Sequence, residues 1–461
     1  MNFIGRAHEL QKMEQCFQTE RQEVLLIYGR RRIGKRELVK QCLRQHEVEG
    51  IYYECKQTSE MNNVETLSAL LSERDGLPPL GFSGMEQLLD FLFQKACEKK
   101  MILVLDEYPY MRQAVKGMDS ILQSLIDKYA ERSRMKLVLC GSFVETMQSL
   151  LLVHQPLYGR MTMVLRLQAM DYFEAAQFYP SFSQEDKVRL YSVFGGIPYY
   201  NRFVDDSLSV KDNILRLLVE PGARLENEIS FYLSGEIGRL TNANAVFDAL
   251  TRGFYRFNDI LSQSHISSSP ALSDVLKRLI LMEVIQKEAP INDADNRKKS
   301  GYVIKDPMTA FFYRYLFRYA SQRQVMAPEI FYERYLAGDF ERAYVPKVFE
   351  EVCRQFLIRK NRCGEMEEPF EQIGKYYYDL PKEHRNGEFD IVTKDRIGYV
   401  FYEAKFRAEP MTAAMMQHEI EQVNATGLFC YRYGFFSRSG FAELDKTRKD
   451  IVTYQMEDLF A

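Results

Sequence analysis

The chain reads as an α/β protein built on a parallel sheet that carries a phosphate-binding loop. Three stretches predict this. Val24-Leu-Leu-Ile-Tyr28 is a short apolar run rich in strand-forming residues, and a helical pattern (Leu38, Val39, Cys42, Leu43) starts after Lys35. Between them stands Gly29-Arg30-Arg31-Arg32-Ile33-Gly34-Lys35, a Gly-x-x-x-x-Gly-Lys loop joining a strand to a helix. Farther on, Met101-Ile-Leu-Val-Leu105 is a continuous apolar run, as a strand covered on both faces requires, and it ends in Asp106 and Glu107.

The loop residues dictate a chemistry. The glycines let the backbone wrap so that N–H groups face phosphate oxygens, and the helix adds its positive N-terminal end. Lys35 would reach the β- and γ-phosphates, so the candidate nucleotide-binding residues are Gly29, Arg30, Arg31, Arg32, Ile33, Gly34, Lys35, Arg36 and Glu37, with ATP and Mg²⁺ as expected cofactors. Arg36 stands where a Ser or Thr hydroxyl ordinarily holds Mg²⁺, so binding is expected and hydrolysis is left open. Either the Arg36 guanidinium takes over part of the metal's charge neutralisation, or it points away and the loop binds more weakly. Asp106 would hold Mg²⁺ through water, and Glu107 would orient or deprotonate the attacking water.

Composition bounds the rest. A length of 461 residues implies about three domains, and 46% hydrophobic with 27% charged residues is a globular composition. With a net charge of −3, no global field draws the chain to nucleic acid, so DNA contact would rest on local patches. The eight cysteines form no CxxC pair and the six histidines lack ligand spacing, which predicts reduced thiols and no zinc site. The N-terminus has no basic-then-apolar signal, and no run approaches the ~18 apolar residues of a membrane span; a soluble, cytoplasmic protein is expected.

In chain order, Phe3-Ile4-Gly5-Arg6 opens a helical pattern (Leu10, Met13, Phe17) that either packs beside the adenine or is an ordinary N-terminal helix. Gly50–Cys55 reads as a strand, Val64–Leu71, Met85–Ala96 and Ile121–Tyr129 as helices, and Met135 to Cys140 as a fourth buried strand. Ser142 follows that strand at the edge where open α/β sheets bind ligands, and suits a polar sensor of the γ-phosphate; a serine opening a loop is the alternative. Arg160 precedes a fifth strand, Met163–Leu167, and is a finger acting in trans, a contact in cis, or a surface residue.

Phe-Ile-Gly-Arg-x-x-Glu-Leu, Tyr-Gly-Arg-Arg-Arg-Ile-Gly-Lys, Leu-Asp-Glu, Leu-Cys-Gly-Ser, Leu-Tyr-Gly-Arg and Gly195-Gly196-Ile197-Pro198-Tyr199 occur in that order. With these motifs the chain resembles the prokaryotic AAA+-type ATPases often called the archaeal ATPase family. The resemblance covers essentially the whole chain. It implies a P-loop NTPase core at 1–168, a helical lid at 169–237, a winged helix-turn-helix at 238–325, and an α/β domain similar to PD-(D/E)xK nucleases at 326–461. Relatives carry Thr or Ser where this chain has Arg36.

Residues 170–235 read as helices broken at Gly195–Pro198. Helical patterns at Ala245–Leu250, Phe257–Leu261 and from Pro270, then strands at Val284–Lys287 and Tyr302–Ile304 around a polar hairpin, outline a winged helix. Its third helix offers Asp274, Lys277 and Arg278, a mixed-charge face without the basic footprint of a DNA reader.

In the last part, a helical pattern through Val345, Phe349, Val352 and Phe356 carries Glu350 and Glu351. Then come Phe389-Asp390-Ile391-Val392, a turn, and Tyr402-Glu403-Ala404-Lys405, a hairpin that brings Asp390 near Glu403, with Glu403 and Lys405 on one strand face. The resemblance implies an Asp…Glu-x-Lys site with Glu350 as the helical acid, Asp390, Glu403 and Glu350 as metal ligands, and Lys405 beside the attacking water. An exposed edge hairpin with a Glu/Lys pair is the plain alternative. Tyr376–Tyr378 and Tyr199-Tyr200 are either aromatic core or stacking surface for bases. Three functions are consistent with these residues: a nucleotide-dependent switch, an ATP-regulated DNA nuclease, or a scaffold with degenerate sites that recruits a protein partner. The oligomeric state is not legible.

Overall fold

A computed structural model describes residues 3–45, 50–76, 78–236, 240–296, 299–380, 385–442 and 448–461. It divides into two compact units, 1–169 and 170–461.

The first unit is a five-stranded parallel sheet. Its elements are α1 (Ala7–Gln18), β1 (Glu23–Tyr28), α2 (Lys35–Gln45), β2 (Gly50–Glu54), α3 (Glu60–Asp75), α4 (Met85–Glu98), β3 (Met101–Asp106), α5 (Tyr108–Ala114), α6 (Met118–Tyr129), β4 (Met135–Gly141), α7 (Val144–Ser149) and β5 (Met163–Arg166). The strand order is β2-β3-β4-β1-β5, so β4 lies between the strand that feeds the loop and the strand that ends in Asp106. Every residue of β1, β3 and β4 is buried, which explains their unbroken apolar runs: each strand has helices to cover on both faces. On one face Leu26, Leu103, Leu105 and Leu137 join Leu67, Leu71, Leu88, Leu92 and Leu122 of α3, α4 and α6 in one core. Burying each such side chain stabilises by about 1.5–3 kcal/mol.

Three charged residues break the pattern: Glu23 at the start of β1, Asp106 at the end of β3, and Lys136 within β4. Lys136 of β4 is fully buried, and its Nζ donates to Thr19 Oγ1 at 2.5 Å and to the carbonyl of Arg21. Burial pushes its pKa down to about 8, against the pull of Glu23.

The second unit opens with helices, among them Gln184–Phe194 and Pro198–Asn201. The Gly195-Gly196 pair between them is a close approach: the Gly196 carbonyl accepts the Met170 N–H at 2.8 Å, and a Cβ on Gly196 would lie 1.8 Å from the Met170 carbonyl oxygen. Helices Leu240–Thr251, Phe257–Ser264 and Ser269–Leu281 precede an antiparallel pair, β6 (Ile285–Glu288) and β7 (Gly301–Ile304). Arg278 pairs with Asp274 at 3.2 Å on the outer side of the third helix, which cancels half of that face's positive charge.

After helix Val345–Arg362 comes a second five-stranded sheet with strands β8 (Gln372–Leu380), β9 (Arg385–Lys394), β10 (Tyr399–Lys405), β12 (Cys430–Ser437) and β14 (Ile451–Gln455) in the order β14-β12-β10-β9-β8; β11 (Met411–Thr412) and β13 (Phe441–Ala442) form a small separate pair. The edge-hairpin alternative is thereby overturned: β10 is the central strand, paired antiparallel to β9 and parallel to β12. Strands β8, β12 and β14 mix tyrosines with polar residues, charges or glycine and escape an apolar-run reading. The connection between β6 and β7 lies along β8. Ile291 N–H donates to the Lys375 carbonyl at 2.8 Å, Asn292 exchanges hydrogen bonds with the Tyr377 backbone, and Lys299 sits 4.3 Å from the Tyr377 ring centroid. Tyr200 is buried in the core, and Tyr199, half-buried, packs edge-on against it and against Phe203.

Two outcomes follow from the packing. Gly196→Ala meets backbone that cannot rotate away and should destabilise by about 2–4 kcal/mol, whereas Gly338→Ala, with open space around it, should be neutral or stabilise by up to about 1 kcal/mol; urea unfolding of each variant measures both. The lowered pKa of Lys136 means that the folded state pays to carry this charge below pH 8 and that the cost fades as pH rises toward the unfolded value of about 10.4. Lys136→Met should therefore be more stable than wild type by about 1 kcal/mol at pH 7, and the advantage should shrink by pH 10.

Candidate functional site

The loop after β1 is shaped by backbone contact. Leu167 N–H donates to the Tyr28 carbonyl at 2.8 Å, and a Cβ on Gly29 would lie 2.4 Å from the Leu167 carbonyl oxygen, so only glycine fits. Arg32 (φ 68°) and Gly34 (φ 95°) take left-handed conformations that fold the loop back over the start of α2. Lys35 is buried, and its Nζ donates to the carbonyls of Gly29 at 2.8 Å and Arg30 at 3.1 Å. Burial pushes its pKa down, against the nearby carboxylates of Glu107 and Asp106. Ile33 and Arg30 are buried, Arg31 lies 5.3 Å from the Phe143 ring centroid, and Glu37 is exposed in the first turn of α2, where a negative charge suits the helix end.

The parallel strands bring Asp106, Glu107 and Ser142 to the same carboxyl-end edge as the loop. Asp106 is buried. Its Oδ1 accepts the Glu107 N–H at 3.0 Å, and its Oδ2 accepts the Tyr52 hydroxyl. Glu107 has φ 51°, which turns its side chain toward β4: Ser142 Oγ donates to Glu107 Oε1 at 2.7 Å and Ser142 N–H to Oε2 at 3.3 Å. Ser142 thus touches the candidate base directly.

Two residues need correction. Arg36 pairs with Glu54 at 2.8 Å and lies 5.6 Å from the Tyr52 ring centroid, with both partners about half exposed. Its guanidinium is directed along β2 and away from the loop interior, so as folded it is not a phosphate ligand. Arg160 forms a two-pronged pair with Asp127, 2.8 and 2.7 Å, near the end of α6. It precedes β5, hence sits at the amino-end edge of the sheet, at the opposite end from the loop at 29–35. Tyr52 was missed. It stands on β2 opposite Val104, on the same strand face as Asp106 two residues on; only strand pairing reveals this.

These residues do not fit Mg²⁺ as a P-loop ordinarily holds it. Position 36 offers no hydroxyl, and both oxygens of Asp106 are engaged by protein donors.

The second unit gathers its own charged cluster. Lys347 Nζ lies 2.9 Å from Asp390 and also contacts Glu350; Lys375 Nζ lies 2.7 Å from Glu388 and 3.5 Å from Asp390; Lys405 pairs with Glu403 and, at 3.2 Å, with Glu419 of helix Ala413–Ala425. Burial, with Asp390 and Glu403 nearby, raises the Glu350 pKa to about 7 despite Lys347, and burial likewise raises that of Glu403. Lys405 is held charged, its own burial outweighed by Glu403 and Glu419. Glu350, Asp390, Glu403 and Lys405 are therefore brought into one cluster. Lys347, Lys375 and Glu419 lie outside the predicted motif, and their spacing carries no signal. Carboxylates are hard donors suited to Mg²⁺, yet the Lys347 ammonium bridges Glu350 and Asp390, and no group of three or more His, Cys, Asp or Glu among the described residues is arranged to hold a metal ion. Among these residues no helix is long and apolar enough to cross a membrane.

Residues 3–201 match the family described as an ATPase domain predominantly from Archaea, and residues 312–422 match one described as archaeal and bacterial proteins of unknown function. An uncharacterized protein of Methanocaldococcus jannaschii is 28% identical over 391 residues, 85% of this chain and 84% of that one. A Walker-type ATPase of Pyrococcus abyssi is similar in structure at 19% identity, covering 68% of this chain and 96% of that one with a TM-score of 0.48. The ORC2 protein of Aeropyrum pernix, in ADPNP and ADP complexes, is similar at 12% identity, covering 70% and 97% with a TM-score of 0.45. The loop at 29–35 and the parallel sheet both lie within the 3–201 stretch that is similar to the archaeal ATPase domain family, whose members the N-terminal part of this chain resembles in sequence.

Proposed function

We propose that the chain is an ATP-binding switch that turns nucleotide over slowly. The observation that carries this reading is the double hydrogen bond from Ser142 to Glu107. The carboxylate that would activate water is present beside Lys35, but both of its oxygens face β4. With no hydroxyl at position 36, two of the groups that speed phosphoryl transfer are restrained or replaced, while the phosphate cradle is complete. ATP occupancy is then long-lived, as a switch needs. In phosphate-release assays, wild type should turn over at about 10⁻³ s⁻¹ or less, the range of unassisted nucleotide switches. Lys35→Ala should abolish ATP binding, and Arg36→Thr should raise turnover about tenfold. Wild-type turnover of about 1 s⁻¹ or faster would sink the switch reading.

The convergence of Glu350, Asp390, Glu403 and Lys405 favours a second reading, a phosphodiester-cleaving site for DNA in the C-terminal part. Because the Lys347 ammonium occupies the place between Glu350 and Asp390, this reading requires an added cation to displace it. It predicts nicking of supercoiled plasmid when Mg²⁺ or Mn²⁺ is supplied, lost in Glu403→Gln and in Lys405→Ala. No nicking by wild type with either cation would leave the cluster a structural one.

A further inference from the structure

We propose that the nucleotide site takes its nucleoside triphosphate without a divalent cation, with the Tyr52 hydroxyl held on the carboxylate that would otherwise serve the metal. The inference rests on the reading that the loop at 29–35 binds ATP, and it assigns a positioning role to Tyr52 and Arg36.

Three observations carry it. First, the acid is used. Asp106 lies buried at the end of β3, with Oδ1 on the Glu107 N–H and Oδ2 on the Tyr52 hydroxyl. A carboxylate whose oxygens are satisfied by fixed protein donors gains less from a hydrated cation than one that faces water. Second, Tyr52 is held where it is. The Arg36 guanidinium lies 5.6 Å from its ring centroid and is anchored at 2.8 Å to Glu54, two residues along the same strand, and the Lys40 ammonium also lies 5.6 Å from the ring. Two cations packed against one aromatic ring restrict the phenol's motion and keep its hydroxyl turned to Asp106. The residue that removes the metal-binding hydroxyl from the loop is thus the same one that packs the replacement hydroxyl in place. Third, the loop supplies charge of its own. Between Arg30 and Lys35 the loop carries four cationic side chains, Arg30, Arg31, Arg32 and Lys35, and no carboxylate. Uncomplexed triphosphate needs such compensation, which Mg²⁺ ordinarily shares.

The test is equilibrium binding of a fluorescent ATP analogue to the full chain, in Mg²⁺ and in excess EDTA. Wild type should give dissociation constants within threefold of each other, and Arg36→Thr/Tyr52→Phe should bind at least tenfold more tightly in Mg²⁺ than in EDTA. Weakening of wild type beyond threefold in EDTA, or a double variant indifferent to Mg²⁺, would overturn the proposal while leaving ATP binding intact. If the double variant does not fold, Tyr52→Phe alone decides: a larger Mg²⁺ effect than wild type supports the proposal, and an unchanged one defeats it. Wild type that binds no analogue, or binding that survives Lys35→Ala, would instead bring down the underlying assignment of the loop.

Discussion

A buried ammonium organises the N-terminal unit. Lys35 is 6% exposed, and a charge so far from water must be surrounded by oxygen or lose its proton. The loop meets that demand with its own carbonyls, those of Gly29 and Arg30. For these to point inward, the chain must turn sharply after β1, which the Leu167 backbone permits only if residue 29 has no side chain. Asp106 and Glu107 add their field from the neighbouring strand ends. Strand order, glycine positions and acid placement are thus parts of one arrangement around a single cation. A phosphate entering the loop would exchange one set of oxygens for another.

The sequence made the centre of this unit's sheet legible because its three inner strands are buried along their whole length and carry long apolar runs. The loop, Asp106, Glu107 and Ser142 were legible as well, since each stands at a fixed offset from such a run. Tyr52 was not: its part depends on β2 lying beside β3, and nothing local to residue 52 encodes that neighbour. Arg36 was visible as an anomaly, yet its direction depends on Glu54, which is eighteen residues away.

The C-terminal sheet shows the opposite balance. The pair Glu403 and Lys405 could be read from strand alternation, and the hairpin placed Asp390 beside them. That β10 is the centre of five strands could not, because β8, β12 and β14 interrupt their apolar residues with polar ones or glycine and show no unbroken apolar run. The three lysines that balance the carboxylates come from helix Val345–Arg362, β8 and β10, so the charge state of the cluster belongs to the assembled fold and to no segment of it.

The contact of the β6–β7 connection with β8 has a consequence for how the second unit can be divided. β8 is the outermost strand of its sheet, and an outermost strand presents unpaired backbone groups that invite other chains. Ile291 and Asn292 cap the stretch around Lys375 and Tyr377. The helical segment before residue 305 therefore shields the sheet that follows it. Freed from those contacts, the sheet would present a sticky margin along β8.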